Sequence, residues 1–269
     1  MAWTIDEHKR RSERLRWDDL DFSSFASRPL DAAALRCLRY MHDVEYHTIC
    51  YLRELLLTPA HLDPEITSFL SLWTFEEFWH GEALAAVLAA HGEAAGADRV
   101  ALARRRLGAR DRIRPLLIGL GGYVLAEDFV ALQMSWGAIN EWTTQVGYAR
   151  LAQLAGHPTL GALLSRIMRQ EGRHIDFYAN QARRRLEAKP RAQRRTRAAL
   201  ARFWRPVGSG VMPGSETRWL MAYLLGGAEA KAAIRRIDRN VASLPGLSGL
   251  SLLEDALCRL DARRPGVTA

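Results

Sequence analysis

The sequence predicts an all-α protein, a four-helix bundle continued by further helices. Two observations carry this. Apolar residues recur with helical periodicity along most of the 269 residues, and no alternating apolar–polar run bounded by turn residues stands out as a strand. Glycines and prolines then cut that periodicity into pieces of helical length. The pieces predict helices over 30–57, 64–91, 97–107, 115–155, 159–187, 190–204, 216–243 and 250–262. Pro59 and Pro64 follow the first, Gly92 to Gly96 the second, and Gly156 with Pro158 separate 115–155 from 159–187. Pro190, the stretch Pro206 to Pro213, and Pro245 with Gly246 divide the rest. No internal repeat or low-complexity tract appears, so 1–269 reads as one domain: a bundle over about 30–187 and a helical extension over about 190–262.

Composition bounds the function. Hydrophobic residues make up 48% and charged residues 25%, enough to bury a core, so disorder is not the default. Cys37, Cys50 and Cys258 lie far apart without a C-x-x-C pair, which argues against a disulfide framework or zinc ribbon and suits a reducing cytoplasm. The N-terminus, MAWTIDEHKRRSERLRWDDLD, has no apolar signal core. The longest apolar stretch, Leu116 to Ala126, is too short to span a bilayer and runs into Glu127 and Asp128. A cytoplasmic protein without membrane insertion is expected, and a homodimer is the expected assembly.

The net charge of +8 is concentrated in two places. Arg104 to Arg114 holds six arginines against one aspartate, and Arg183 to Arg205 holds nine arginines and one lysine against Glu187. Two readings stand side by side: solvated helix faces, or a docking surface for an acidic partner. No nucleic-acid motif accompanies the charge, which disfavours DNA or RNA.

The residues that carry chemistry are two Glu-x-x-His units, Glu77-Phe78-Trp79-His80 and Glu171-Gly172-Arg173-His174. Positions i and i+3 share a helix face, so each unit can turn a carboxylate and an imidazole toward one metal. Chance supplies fewer than one such pair in a chain with 16 glutamates and eight histidines. Each unit also lies deep in a long helix preceded by another that carries a glutamate. Those glutamates are Glu45, in RYMHDVEYHTICYLREL, and Glu141, in QMSWGAINEWTTQVGYA. Successive separations are 32, 64 and 30 residues, two similar helix pairs joined by a long crossover. That order and ligand set describe a ferritin-like di-metal carboxylate bundle. Four carboxylates with two imidazoles and no thiolate make a hard site suited to iron or manganese. Two divalent cations would cancel a carboxylate charge that is otherwise costly to bury. By analogy with that class, Glu45 and Glu141 serve as terminal ligands and Glu77 and Glu171 as bridges.

The segment WTFEEFWHGE, Trp73 to Glu82, resembles the WTxEExxHG segment of the soluble acyl-carrier-protein (stearoyl-type) desaturases, and RQEGRH, Arg169 to His174, is similar to their DEKRH-type segment. Tyr51 and Thr144 stand where that family has a tyrosine and an active-site threonine. The resemblance covers about residues 35–190. It implies two irons (Fe2+/Fe3+), dioxygen as co-substrate, electrons from a ferredoxin-type donor, and an acyl chain presented on an acyl carrier protein or coenzyme A. The arginine-rich stretches would then meet the acidic carrier or the coenzyme A phosphates. Thr144 would handle protons beside the metals, its alternative role being helix packing.

The chain departs from the family before the second ligand glutamate, where the family has aspartate and this sequence has Gln170. That aspartate orients the opposite histidine, and an amide orients it without adding negative charge. Geometry on the helix predicts that Gln170 bonds His80 and that Glu76, in the equivalent place, bonds His174. His42, three residues before Glu45, is either a core histidine or an additional group at the metals. Trp73, Trp79, Trp136 and Trp142 crowd the ligand segments as bundle core, one or two of them as walls of an acyl channel. Cys50 should point away from the metals. Within the same fold, a hydroxylase or N-oxygenase of a secondary metabolite is an alternative reading. So is a ferritin-like iron-binding protein without catalysis, although the eighty residues beyond the bundle disfavour the latter.

Overall fold

The structure, a computed structural model, describes residues 4–261, leaving aside the side chains of residues 98, 109–112, 260 and 261. Helices account for all of the regular structure among the described residues, as the periodicity requires. Four of them form the bundle: α3 (Ala32–Glu45), α5 (Pro64–Ala90), α7 (Glu127–Ala155) and α8 (Pro158–Leu186). α3 packs along α5 and α7 along α8, and α5 meets α8 while α3 meets α7. Within the first pair, α4 (Thr48–Leu56) and a 3₁₀ turn at Pro59–Leu62 join α3 to α5, and α6 (Gly96–Leu125) joins the first pair to the second. Past the bundle, α9 (Pro190–Phe203) and α10 (Gly214–Leu225) pack on α7, as does α11 (Ala230–Ala242), which also carries α12 (Leu252–Asp261). No helix among the described residues is long and apolar enough to cross a membrane.

Local chemistry fixes the ends of the bundle helices. Asp31 caps α3 by accepting from the Ala34 N–H at 2.7 Å. Asp63 caps α5 by accepting from the N–H groups of Glu65 and Ile66, with Pro64 at the first helical position. Gly156 ends α7 in the left-handed conformation, φ 57°, and Pro158 opens α8. In the core, the ring of Phe69 on α5 stacks on Phe177 of α8, and Trp73 and Tyr178 extend the cluster.

The structure corrects the helix boundaries at places where tertiary geometry overrides periodicity. The helix expected over 30–57 is interrupted after Glu45, where backbone bonds shorten to the i+3 pattern (His47 N–H to Val44 O, Cys50 N–H to His47 O). No glycine or proline announces this turn. The helix expected over 115–155 divides at Ala126, whose φ of 49° is unfavourable for a residue with a side chain. The segment 97–107 joins the following one into α6, kinked at Gly108 with φ 58°. Gly226 and Gly227 split the helix expected over 216–243 into α10 and α11. The last expected helix begins at Leu252, and residue 262 lies outside the described residues.

Two short helices were not expected, α1 (Ile5–Arg11) and α2 (Ser24–Ser27). They belong to an N-terminal strap that lies on α5 and α8. Arg166 on α8 grips Asp19 of the strap through both guanidinium nitrogens, and Arg14 sits 4.2 Å over the ring of Trp79.

The second half of α6 has an inverted arrangement. Gly119 and Gly122 face the body: a Cβ on Gly119 would lie 2.9 Å from the Leu57 carbonyl oxygen, and one on Gly122 would lie 3.2 Å from Thr58 Cβ. Its large apolar residues, Leu116, Leu117, Leu120, Tyr123 and Val124, are each more than half exposed.

The fold yields a stability test. Phe69 is fully buried among aromatic rings that link α5 to α8. Phe69→Ala should destabilise the protein by about 3–5 kcal/mol, the usual cost of emptying such a site. Urea unfolding with unchanged m would confirm it, and a loss below roughly 1 kcal/mol would show that the two helix pairs are not held here.

Candidate metal centre

Each bundle helix contributes to one buried cluster. Glu45 ends α3, Glu77 and His80 lie in α5, Glu141 in α7, and Glu171 and His174 in α8. All six are buried, with exposures of 6% or less. Their ligand atoms fall into two overlapping groups, Glu45–Glu77–His80–Glu171 and Glu77–Glu141–Glu171–His174, each within 4.8 Å. Glu77 and Glu171 belong to both groups, while Glu45 with His80 and Glu141 with His174 belong to one each. The six residues named from the sequence meet in one place.

The atoms facing the middle are short of partners. Glu45 Oε2, Glu77 Oε1, His80 Nδ1 and Glu171 Oε1 are buried with no hydrogen-bond partner among the described residues. His80 Nδ1 lies 4.0, 3.9 and 3.4 Å from these oxygens of Glu45, Glu77 and Glu171. His174 Nδ1 lies 3.1 Å from Glu77 Oε1 and from Glu171 Oε2. Polar atoms left unpaired in a dry interior are costly, and a cation among them removes the cost. The donor set is four carboxylates and two imidazoles, with no cysteine in either group. Such a set fits hard or borderline divalent metals, and two of them balance the four carboxylate charges.

The outward atoms, by contrast, are satisfied. His80 Nε2–H donates to Gln170 Oε1 at 2.9 Å, and the Gln170 amide nitrogen donates to the carbonyl of Glu13 in the N-terminal strap at 3.0 Å. His174 Nε2–H donates to Glu76 Oε2 at 2.7 Å, and Arg173 donates to the other oxygen of Glu76 at 2.7 Å. Both histidine bonds expected from the sequence are present, and they leave each Nδ1 turned inward. The end carboxylates are also held. Trp73 Nε1–H donates to Glu141 at 3.1 Å, and the Tyr148 hydroxyl donates to Glu45. Tyr148, fully buried, is the residue that sequence reasoning missed; its signal is a position seven residues, two helical turns, after Glu141.

Other expected residues settle elsewhere. His42 is a core histidine: its Nε2 accepts from the Gly96 N–H at 3.0 Å, so its Nδ1–H donates to Asp43, which Arg99 holds through both oxygens. Tyr51 lies on α4 beyond the turn after Glu45 and packs edge-on against His47 rather than on a ligand. Thr144 lines a small cavity of about 60 Å³ in which Glu45 is the one carboxylate. Trp79 lies under the Arg14 guanidinium and beside a tilted Trp17, and Trp142 borders a surface cleft. Of the second arginine-rich stretch, Arg184, Arg185, Arg191 and Arg195 pair with Glu65, Asp63 and Asp128 of the chain itself. In the first stretch, Arg110 and Arg112 lie outside the described side chains.

Without metal, protons must take up the charge. Burial, then the neighbouring carboxylates Glu77 and Glu171 respectively, push Glu45 and Glu141 well above the usual carboxylate range. Burial and Glu171 push Glu77 up to about 7. Burial works against the charged imidazoles, but the carboxylates of Glu171, Glu76 and Glu77 beside the ring outweigh it and raise His174 well above its ordinary value; Glu171 also raises His80. Burial also opposes the charge on Glu171 and Glu76, yet their histidine bonds prevail, holding Glu171 low and Glu76 at about 2.

The sign of the pH dependence follows. Glu45, Glu77 and Glu141 hold protons in the folded state that the unfolded chain gives up, so their burial weighs more heavily as pH rises from about 4.5 toward 7. The stabilising pairs of His80 and His174 are complete below about 6.5 and are lost as pH rises through their raised values. Metal-free protein should therefore melt at progressively lower temperature from about pH 6.5 to pH 8, above the range in which the burial of His8, its pKa lowered to about 4, acts in the opposite sense, while metal-loaded protein, with those protons displaced, should not. A metal-free melting temperature that climbs over that interval would contradict the proton arrangement. Separately, Gln170→Leu should weaken metal binding by roughly ten- to a hundredfold through loss of the bond that orients His80, measurable by competition with a chelator.

Compared with known proteins, the chain matches no family model, no curated sequence and no solved structure, and the reading of this centre rests on its own residues.

Proposed function

We propose that the chain is a di-iron oxidoreductase that uses dioxygen to oxidise an aliphatic substrate, and that the reaction is desaturation of a carrier-bound acyl chain. The observation that carries the reading is the convergence of four unpartnered buried ligand atoms inside a cage whose outer atoms are all held. Iron bound there would supply the electrons that reduce dioxygen and the oxidising power that breaks an unactivated C–H bond. Iron, unlike zinc, combines this hard ligand set with redox chemistry.

The chain's own residues have distinct tasks in this scheme. Glu77 and Glu171 would offer carboxylate oxygens to both metals, and Gln170 and Glu76 fix the imidazole planes. Tyr148 and Trp73 each restrain a terminal carboxylate by donating to one of its oxygens. Thr144, beside Glu45 in a small apolar cavity with Met41, Val44 and Leu220, would hold a proton at its hydroxyl. The resemblance of Trp73–Glu82 to the soluble desaturases supports acyl substrates and a ferredoxin-type donor. Arg194, exposed among arginines that the chain itself pairs, would then be available to an acidic carrier protein or a coenzyme A phosphate.

The test begins with iron. Protein loaded anaerobically with ferrous iron and desalted should retain two irons per chain, and Glu77→Ala or Glu171→Ala should retain neither iron nor oxygen consumption. Aerobic incubation of the loaded protein with reduced ferredoxin and a panel of acyl carriers should then yield an acyl product lacking two hydrogens, read by intact mass. A gain of one oxygen would replace desaturation by hydroxylation. Retention of no iron would remove the proposal altogether.

A further inference from the structure

Behind the His174 side of the cage lies a surface cleft of about 440 Å³ between α7, α8 and α11. Its charged wall comes from one face of α8, where Arg169, Arg173 and Asp176 recur at helical spacing, and from Arg236 on α11. Three guanidinium groups thus face one carboxylate. Neither Arg169 nor Arg236 has a carboxylate within ion-pair distance among the described residues, and Arg169 reaches only the Ser165 hydroxyl at 3.5 Å. Arg173 donates from one terminal nitrogen to Glu76, while its Nε–H is buried with no acceptor.

The remaining walls are mixed. Trp142, Val146, Ile175 and Ile237 give them apolar area, and Gln145 and Asn240 add neutral polar groups. Gly172 keeps the α8 wall open, because a Cβ there would meet nothing within 4 Å. Arginines that only solvate a surface spread over convex helix faces; these converge on a concavity within the usual small-molecule range of roughly 300–1,000 Å³. That is far larger than a bare phosphate needs, and its apolar walls suit an organic body.

We propose that this cleft binds an organic phosphate, its phosphoryl oxygens on Arg169, Arg173 and Arg236 and its apolar portion against Trp142 and Ile237, and that occupancy is felt at the metal centre through Arg173, Glu76 and His174. Guanidinium groups suit phosphate because their forked N–H donors match its oxygens. The coupling has a physical path. Glu76 divides itself between Arg173 and His174, both at 2.7 Å. A phosphate that engages Arg173 takes cationic charge away from Glu76, which leaves Glu76 a stronger acceptor for His174 Nε2–H and His174 a stronger donor to a metal. Linkage makes the effect mutual, so metal must change phosphate affinity by the same factor. Neither part depends on oxygen chemistry or on an acyl substrate.

The experiment uses the whole chain, metal-free and loaded with cobalt(II), whose visible bands report occupancy of the centre. Phenyl phosphate, inorganic phosphate and benzoate are titrated calorimetrically at fixed ionic strength. Phenyl phosphate should bind saturably and at least tenfold more tightly than either of the others, and Arg169→Ala with Arg236→Ala should weaken it tenfold or more. Gly172→Leu, which fills the cleft, should abolish binding while circular dichroism stays helical. Phenyl phosphate should also shift cobalt affinity several-fold, and cobalt should shift phenyl phosphate affinity by the same factor. Binding that is absent, or that survives both the double substitution and Gly172→Leu, overturns the site. Benzoate binding as tightly as phenyl phosphate overturns the phosphate assignment, and cobalt affinity indifferent to bound phenyl phosphate overturns the path through Arg173.

Discussion

Four carboxylates and two imidazoles sit in a bundle interior that excludes water, and the surrounding structure answers to that single electrostatic demand. Anionic charge of this density cannot be left bare at low dielectric, because desolvation outweighs any hydrogen bond a lone carboxylate could gain. Two answers are open to the chain: bind cations, or bind protons. The metal-free arrangement uses protons, spread over Glu45, Glu77 and Glu141, with the histidines held charged against Glu171. The metal-bound arrangement would exchange them. The fold thus places the same six side chains where either inventory of positive charge could answer them.

The cage is built with near two-fold regularity and then made unequal. Each histidine has an outer acceptor and each end glutamate an outer donor, but Gln170 is neutral where Glu76 is charged, and Tyr148 stands opposite Trp73. The two halves are also anchored differently. Gln170 is tied to the N-terminal strap through the Glu13 carbonyl, whereas Glu76 is tied to Arg173 at the edge of a solvent-facing cleft. One imidazole is therefore positioned by backbone that shields it, and the other by a cation in touch with the surface.

Much of the bundle and the ligand set was legible in the sequence because both follow from helical spacing. Glu-x-x-His at i and i+3 forces two groups onto one face, and the pairs 45–77 and 141–171 recur at similar intervals. Even Gln170 and Glu76 could be placed, since each directly precedes a ligand on its helix. What escaped notice has no periodic signature. The strap of residues before 30 is charged and short-helical, and it is organised by contacts such as Asp19 with Arg166, which are distant in sequence. The turn after Glu45 and the break at Ala126 contain no glycine or proline, so only the approach of other helices could specify them. Tyr148 reads as one more core aromatic until α3 brings Glu45 beneath its hydroxyl. Several arginines that looked like an open basic face turn out to be clasps between α8 or α9 and the acidic starts of α5 and α7.

The second half of α6 carries Gly119 and Gly122 toward Leu57 and Thr58 and its leucines toward water. A helix seated by glycines gains little apolar burial from its own body, so its adhesion there rests on backbone proximity and on the chain at either end. The outward stripe of Leu116, Leu117, Leu120, Tyr123 and Val124 is a contiguous oily ridge on a molecule that is otherwise strongly cationic. Like-charge repulsion keeps such ridges apart in dilute, low-salt solution, and added salt screens that repulsion while strengthening the pull between apolar surfaces. Added salt should therefore draw copies of this chain together through the ridge, a pull that an evenly polar skin lacks.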